Sequence, residues 1–258
     1  MSSRIKLRIT SIPNFISFLE KLKIVEKSVI LELTKDKLSS KIHTPDKTVV
    51  KYVSEETKNL FEGDIEWDKI KSDRIKIGIL EISRLIKAFK YFKPEEDVYF
   101  EIELGLIDNE IISKEIKLSS LSLDIKIKCA DLMLLSYLTD DILSVIHTKE
   151  NSVSEFTIYQ SDFMTLLSLC GMENNVEEII SFKVTKDSVS VTGDSFKYKL
   201  NIGPSEILLD NKDMIIDMYK SKLVLMESET CKVYAHTNRI IMYSEESLTS
   251  IAIGLVEK

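Results

Sequence analysis

A strand–turn–strand unit occurs twice in this chain, about half a chain apart, and it restricts the fold more than any other feature. Residues 29–42 run Val-Ile-Leu-Glu-Leu-Thr-Lys-Asp-Lys-Leu-Ser-Ser-Lys-Ile, and residues 179–192 run Ile-Ile-Ser-Phe-Lys-Val-Thr-Lys-Asp-Ser-Val-Ser-Val-Thr. Each is an apolar strand, the turn Thr-Lys-Asp (34–36, then 185–187) and a second alternating strand, and each follows a stretch of helical period. The tripeptide alone could recur by chance in a chain rich in Lys and Asp. With the preceding helix and both strands in the same phase, it reads as an internal repeat. Residues 79–103 add a strand–helix–strand unit, and 208–256 add a short helical stretch (213–220) followed by alternating strands. The expectation is two domains of like topology, each made of two helix-plus-strands quarters. The first spans 1–139, an interdomain linker spans 140–154, and the second domain spans 155–258.

The remaining periodicity agrees with this. Phe15, Phe18, Leu19 and Leu22 form the apolar stripe of a first helix over about 13–25, with Ser11 as its N-cap and Pro13 in its first turn. A second helix runs over 84–92, capped by Ser83 and stopped by Pro94, with Leu85, Ile86, Phe89 and Phe92 inward. A third, over 162–170, turns Phe163, Leu166, Leu167 and Cys170 inward. Elsewhere the pattern alternates with period two, as at Ile5, Leu7 and Ile9 or Val98, Phe100 and Ile102, which is the mark of antiparallel sheets with one polar face. Few short helices beside many strands give an α+β protein with its helices on one face of its sheets.

At 258 residues, 44% hydrophobic and 30% charged, the chain can bury a substantial core. Its 7 Gly and 4 Pro argue against low-complexity segments and Gly-rich ligand loops. No apolar run approaches the roughly 20 residues of a membrane span, and the N-terminus enters a strand without an export signal. Three widely separated Cys (Cys129, Cys170, Cys231) suggest reduced thiols and a cytoplasmic setting.

Catalytic chemistry is not visible. There is no GxGxxG, P-loop, CxxC or nucleophile elbow, and His43, His147 and His236 are isolated from any partner at metal-ligand spacing. The pairs Glu55-Glu56, Glu95-Glu96 and Asp140-Asp141 read as solvated loop surface. No catalytic residue, cofactor or metal is expected, and a non-enzyme is favoured. A net charge of −7 ordinarily argues against nucleic-acid binding. Yet the polar positions of the second helix are Arg84, Lys87, Lys90 and Lys93, with no acidic residue before Glu95. A solvated helix face is the plain reading, and Lys near a helix C-terminus also suits the macrodipole. Clustering of the minority sign on one face is nevertheless an electrostatic footprint.

On these residues the chain resembles the DNA polymerase sliding clamps, in the branch that includes proliferating cell nuclear antigen and the clamp of T-even-type phages. The resemblance covers nearly the whole chain. Ser83-Arg84-Leu85-Ile86-Lys87 before Asp97-Val98-Tyr99-Phe100 is similar to that family's second helix and following strand. Glu155-Phe156-Thr157-Ile158, then Asp162-Phe163 through Gly193, is similar to the opening of its second domain. Lys222-Leu223-Val224-Leu225-Met226 through Ile251-Ala252-Ile253-Gly254-Leu255 resembles the closing strands of the phage clamps.

The resemblance implies two clamp domains, each of two βαβββ units, with sheets outside and helices lining a hole. It implies a head-to-tail homotrimer that encircles double-stranded DNA without sequence preference, put in place by a clamp loader and tethering a DNA polymerase. If phage-encoded, it would act in the host cytoplasm. DNA-facing residues would be Lys21, Lys23, Arg84, Lys87, Lys90, Lys93, Lys220 and Lys222. Partner peptides would enter a pocket drawn from Ile42, Val49, Val50, Ile142, Leu143, Val145, Ile253 and Leu255. Ring edges would lie in 110–128 and 176–184. The chain departs from the family at Pro13, Asn14, Thr165 and Ser168, where basic residues are usual, so DNA contact would rest mainly on the first domain. A clamp-fold accessory protein that binds replication or transcription partners without encircling DNA is the alternative.

Overall fold

The computed structural model describes residues 4–256 apart from 71, 94, 108–109, 172–177, 204–205, 210–212, 224, 226–228, 245 and 247. It resolves into two compact units, the first made of 1–42 and 52–138 and the second of 43–51 and 139–258.

In the first unit the order is β1 (Arg4–Ile9), α1 (Ile12–Lys23), β2 (Val29–Leu33), β3 (Lys37–His43), β4 (Val49–Glu56), α2 (Thr57–Leu60), β5 (Phe61–Glu62), α3 (Trp67–Ile70), β6 (Ile75–Ile79), α4 (Ile82–Phe89), β7 (Tyr99–Ile107), β8 (Glu110–Ser119) and β9 (Asp124–Lys128). The second unit has α5 (Asp140–Ile146), β10 (Ser154–Ile158), α6 (Gln160–Gly171), β11 (Ile179–Val184), β12 (Val189–Thr192), β13 (Lys197–Lys199), β14 (Leu208–Leu209), β15 (Met214–Tyr219), α7 (Lys220–Leu223), β16 (Cys231–Ala235), β17 (Arg239–Ser244) and β18 (Thr249–Gly254).

The two units share one topology. The first contains the strand orders β5-β1-β7-β8-β9 and β4-β3-β2-β6, and the second contains β14-β10-β16-β17-β18 and β13-β12-β11-β15. The described ladders are antiparallel. The repeated turn closes identically in both. Thr34 N–H donates to Lys37 O (2.9 Å) and Thr185 N–H to Ser188 O (2.8 Å). Each threonine hydroxyl donates to the same carbonyl (3.1 and 3.0 Å) and accepts from the matching amide (3.1 Å in both). Side chains on alternate sides of β1 are buried and exposed in strict sequence, so Ile5, Leu7 and Ile9 face a core completed by the helices. Phe15 of α1 sits at its centre, with ring centroids 4.9–5.5 Å from Phe61, Phe89 and Phe100. Phe156, Phe163 and Phe182 are buried in the second core.

Three local expectations need correction. Residues 213–220 are not helical: Met214–Tyr219 form β15, with Ile216 and Met218 buried, and only Lys220–Leu223 turn into α7. The run's period of two, together with a six-residue ladder to β11, overrides its mild helical propensity. Ser83 is not the cap of α4. The helix begins at Ile82, whose N–H donates to Lys27 O (2.9 Å) and whose side chain is buried. The second sheet edge also differs. β9, within 110–128, does end its sheet, but β11 lies between β12 and β15, so β13 and β15 end the other. The stretch 140–154 contains α5, capped by the Thr139 hydroxyl, which accepts from Ile142 N–H (3.3 Å), with Asp140 and Asp141 in its favourable first turn.

Candidate nucleic-acid interface

α4 is short because β6 runs into it directly and Phe89 and Phe92 hold its end in the core. Ile82, Leu85, Ile86 and Phe89 bury one side, and the 3.6-residue period then sends Arg84 and Lys87 to the other. Lys90 and Lys93 continue that side beyond the last turn. All four cations are exposed, and among the described residues none has a carboxylate or hydrogen-bonding partner. Tyr91, 73% exposed, stands among them, an aromatic in a basic setting that the apolar stripe alone did not flag.

The other expected cations do not join this face. Lys21 is half-buried beside Asn14, Ser17 and Phe18. Lys23 is exposed but pairs with Glu20 at 3.0 Å. Lys220 is buried: its ammonium lies 3.6 Å from the buried Glu178, and its N–H donates to Glu178 O (2.8 Å). Lys222 reaches Asp46 Oδ2 at 2.8 Å. There it closes the β3–β4 turn, where the other carboxylate oxygen accepts from the Thr44 hydroxyl and from Thr48 N–H (3.1 Å). Lys222, then the Thr44 hydroxyl, hold the Asp46 carboxyl well below the usual range. Lys220 and Lys222 are therefore structural cations. Neither burial nor pairing was readable from spacing, because their partners lie 42 and 176 residues away.

α6 occupies the place of α1 in the second unit. It exposes Met164, Thr165 and Ser168 and carries no basic residue. Asp162 is buried, accepting from the Tyr198 hydroxyl (2.7 Å) and Asn201 N–H (3.3 Å).

The expected peptide pocket does not assemble as read. Val49 and Ile253 are buried in the second unit's core, Val50 is buried on the other face of its strand, and Ile42 is buried in the first unit. They cannot line an open groove. Leu143 and Leu255 are half-buried, while Ile142 and Val145 on α5 are exposed apolar groups. α5 is itself anchored. Ile146 packs on Tyr234, Ile241 and Ala252, Arg239 donates to Val145 O (3.3 Å), and His147 bridges Ser250 Oγ (2.6 Å) and Val50 O (3.3 Å). A neutral ring with its proton on Nε2 satisfies both contacts, and burial pushes the imidazole down to about 4. Burial pushes the Cys129 thiol up to about 12, and Cys170 and Cys231 are buried. Among the described residues no three His, Cys, Asp or Glu side chains converge to hold a metal, and no helix is long and apolar enough to cross a membrane.

No protein-family model and no curated protein matches the chain. Solved structures do match it. The PCNA of A. fulgidus, in a structure with the C-terminal region of FEN-1, superposes with a TM-score of 0.69 at 10% identity, over 98% of this chain and 99% of that one. Proliferating cellular nuclear antigen from Entamoeba histolytica gives 0.69 at 12% identity over 100% of both chains. PCNA from Thermococcus kodakaraensis gives 0.66 at 10% identity over 98% and 100%. The chain has the sliding-clamp fold along its whole length.

Proposed function

We propose that this chain is a DNA polymerase processivity factor: a sliding clamp whose copies join head to tail, as a homotrimer, around duplex DNA. The observation that carries the reading is the α4 face, where Arg84, Lys87, Lys90 and Lys93 stand exposed, without counter-charge among the described residues, on a clamp fold in a chain of net charge −7. A ring holds DNA by topology, so weak and sequence-independent phosphate contacts suffice and permit sliding. Tethering then raises the effective concentration of a polymerase at its template. With α6 lacking basic residues and Lys220 and Lys222 engaged, the duplex would lie against the first unit's helices. Partner peptides and a loader would dock around α5, where Ile142 and Val145 are open.

Quasi-symmetry supports the proposed closure. In the second unit the outer side of β18 is occupied by the start of β4, and Gly254 N–H donates to Thr48 O (2.8 Å). β9 is the counterpart of β18 and ends its sheet. β13 is the counterpart of β4 and ends its own. The turns closed by Thr44–Val49 and Gly193–Phe196 put Thr48 and Ser195 in the same place. β9 of one copy would therefore pair with β13 of the next, Lys128 beside Ser195, making a heterologous contact that hides two edges.

Replacing Arg84, Lys87 and Lys90 with Glu tests the reading. The variant should fold normally and lose polymerase stimulation at low salt. The slope of log K for DNA against log salt should become shallower by about 3, one per lost phosphate contact. Full stimulation by the variant would refute the DNA-facing assignment. The absence of basic residues on α6 favours one competing reading, an accessory protein that binds partners without encircling DNA, and that reading predicts no difference between circular and linear DNA.

A further inference from the structure

Each unit carries the same four-stranded sheet, yet among the described residues the first unit's is covered and the second unit's is not. There the segment after β9 returns across the outer face of β6-β2-β3. Ala130 N–H donates to Gly78 O (2.9 Å), so closely that a Cβ on residue 78 would lie 2.4 Å from Ala130 O and 3.2 Å from Leu135. Further along, the Tyr137 hydroxyl donates to Glu32 (2.9 Å), with the Lys76 and Lys41 ammonium groups 4.2 and 5.4 Å from the Tyr137 ring centre. Glu32 pairs with Lys41 at 2.7 Å. Under this strap Ile30, Glu32, Ser39 and Lys41 are buried.

Superposing the turns at Thr34 and Thr185 puts Lys183 where Glu32 stands and Asp217 where Gly78 stands, since Ile30 pairs with Gly78 and Ser181 with Asp217. The cover starts the same way: Val256 N–H donates to Asp217 O (3.0 Å). Among the described residues nothing covers the rest of the face. The register sets Lys183 opposite Ser190, Ser190 opposite Lys199, and Thr192 opposite Lys197. Lys183 is also opposite Ile215, and Ile179 is opposite Tyr219. Lys183, Lys197 and Lys199 are exposed, and among the described residues no carboxylate pairs with any of them. Asp217, the acid on this face, is bonded to the Ser181 hydroxyl at 2.6 Å. Ile215, Ile179 and Tyr219 form an apolar border, 42–55% exposed.

We infer that this outer face of the second unit docks an extended segment of a partner protein, apolar where it crosses β15 and acidic where it reaches β11, β12 and β13. The equivalent face shows the mode, a polypeptide strap that begins with a backbone bond to residue 78. Where the first unit has an acid already paired with Lys41 and meets it with the neutral Tyr137 hydroxyl, the second has Lys183, unpaired among the described residues, so a strap here would bring an acceptor. Three ammonium groups with no carboxylate partner among the described residues favour carboxylates, and the border of Ile215, Ile179 and Tyr219 favours apolar side chains over a nucleic-acid backbone, which would leave those groups in water.

The probe is a fluorescein-labelled peptide, Ala-Leu-Ser-Leu-Ser-Tyr-Glu-Glu-Glu, with its triple-Lys counterpart and a labelled oligo(dT) as controls, measured by anisotropy on the full chain. The acidic peptide should bind, and Lys183→Glu/Lys197→Glu/Lys199→Glu should weaken it about tenfold or more, three exposed ion pairs at up to about 1 kcal/mol each. These side chains are exposed, so the variant's thermal melt should match wild type, and Ile215→Ser should weaken the peptide without altering charge. Three outcomes would overturn the proposal: no binding of the acidic peptide, equal binding of the Lys peptide, or oligo(dT) binding that the triple variant alone abolishes.

Discussion

At the scale of single residues, burial decides which ionisable groups can act outward. The chain's lysines look alike in sequence, but Lys220 lies in a buried pair with Glu178 while Lys87 is exposed on α4. A lysine's stem packs or snorkels according to what the fold puts beside it, and spacing along the chain carries no record of that. His147 shows a consequence for stability. Its folded-state value of about 4 lies below the ordinary 6.5, because burial disfavours the cation. The unfolded chain then binds the extra proton between these limits. Stability should be complete above about pH 6.5 and fall as the pH drops toward 4, by about 1–3 kcal/mol from this group. Denaturant unfolding at pH 5 and pH 7 measures it, and His147→Gln should flatten the difference. An unchanged pH dependence in that variant would place the proton elsewhere.

At the scale of elements, the apolar stripes were legible. Phe15, Phe18, Leu19 and Leu22 of α1 and Leu85, Ile86 and Phe89 of α4 are buried as their period requires. The repeated Thr-Lys-Asp turn was legible too, because its chemistry is local: a threonine hydroxyl bonded to both groups of the residue that closes the hairpin. β15 was not, since Met214–Tyr219 becomes a strand through its ladder with β11, a partner some thirty residues distant. The expected peptide pocket did not assemble as read, because alternation tells inward from outward only within a strand. It does not tell which inward residues meet a surface cleft and which, like Val49 and Ile253, meet a core. If the two hairpins are equivalent, Thr34→Val and Thr185→Val should cost alike, about 1 kcal/mol each for a lost turn hydroxyl. Urea midpoints of the two variants provide the check, and a large cost at one site with none at the other would break the equivalence.

For the whole molecule, duplication explains most of what the chain does. Two units of one topology need not carry the same surface: among the described residues the first has the basic α4 and a covered sheet, the second an α6 without basic residues and an uncovered sheet. The division of labour proposed here, DNA on the first unit and partner segments on the second, follows from that difference. Its central claim is that copies close around DNA through β9 and β13, and covalent closure tests it most directly. Cysteines placed by Lys126→Cys and Lys197→Cys should face each other across that contact. The native thiols will not compete, since Cys170 and Cys231 are buried and the Cys129 thiolate is strongly disfavoured. Crosslinking with a short bis-maleimide in the presence of DNA, followed by detergent denaturation, should leave protein locked on closed circular duplex and none on the same duplex made linear. Equal release from both, with crosslinked rings present on the gel, would contradict encirclement.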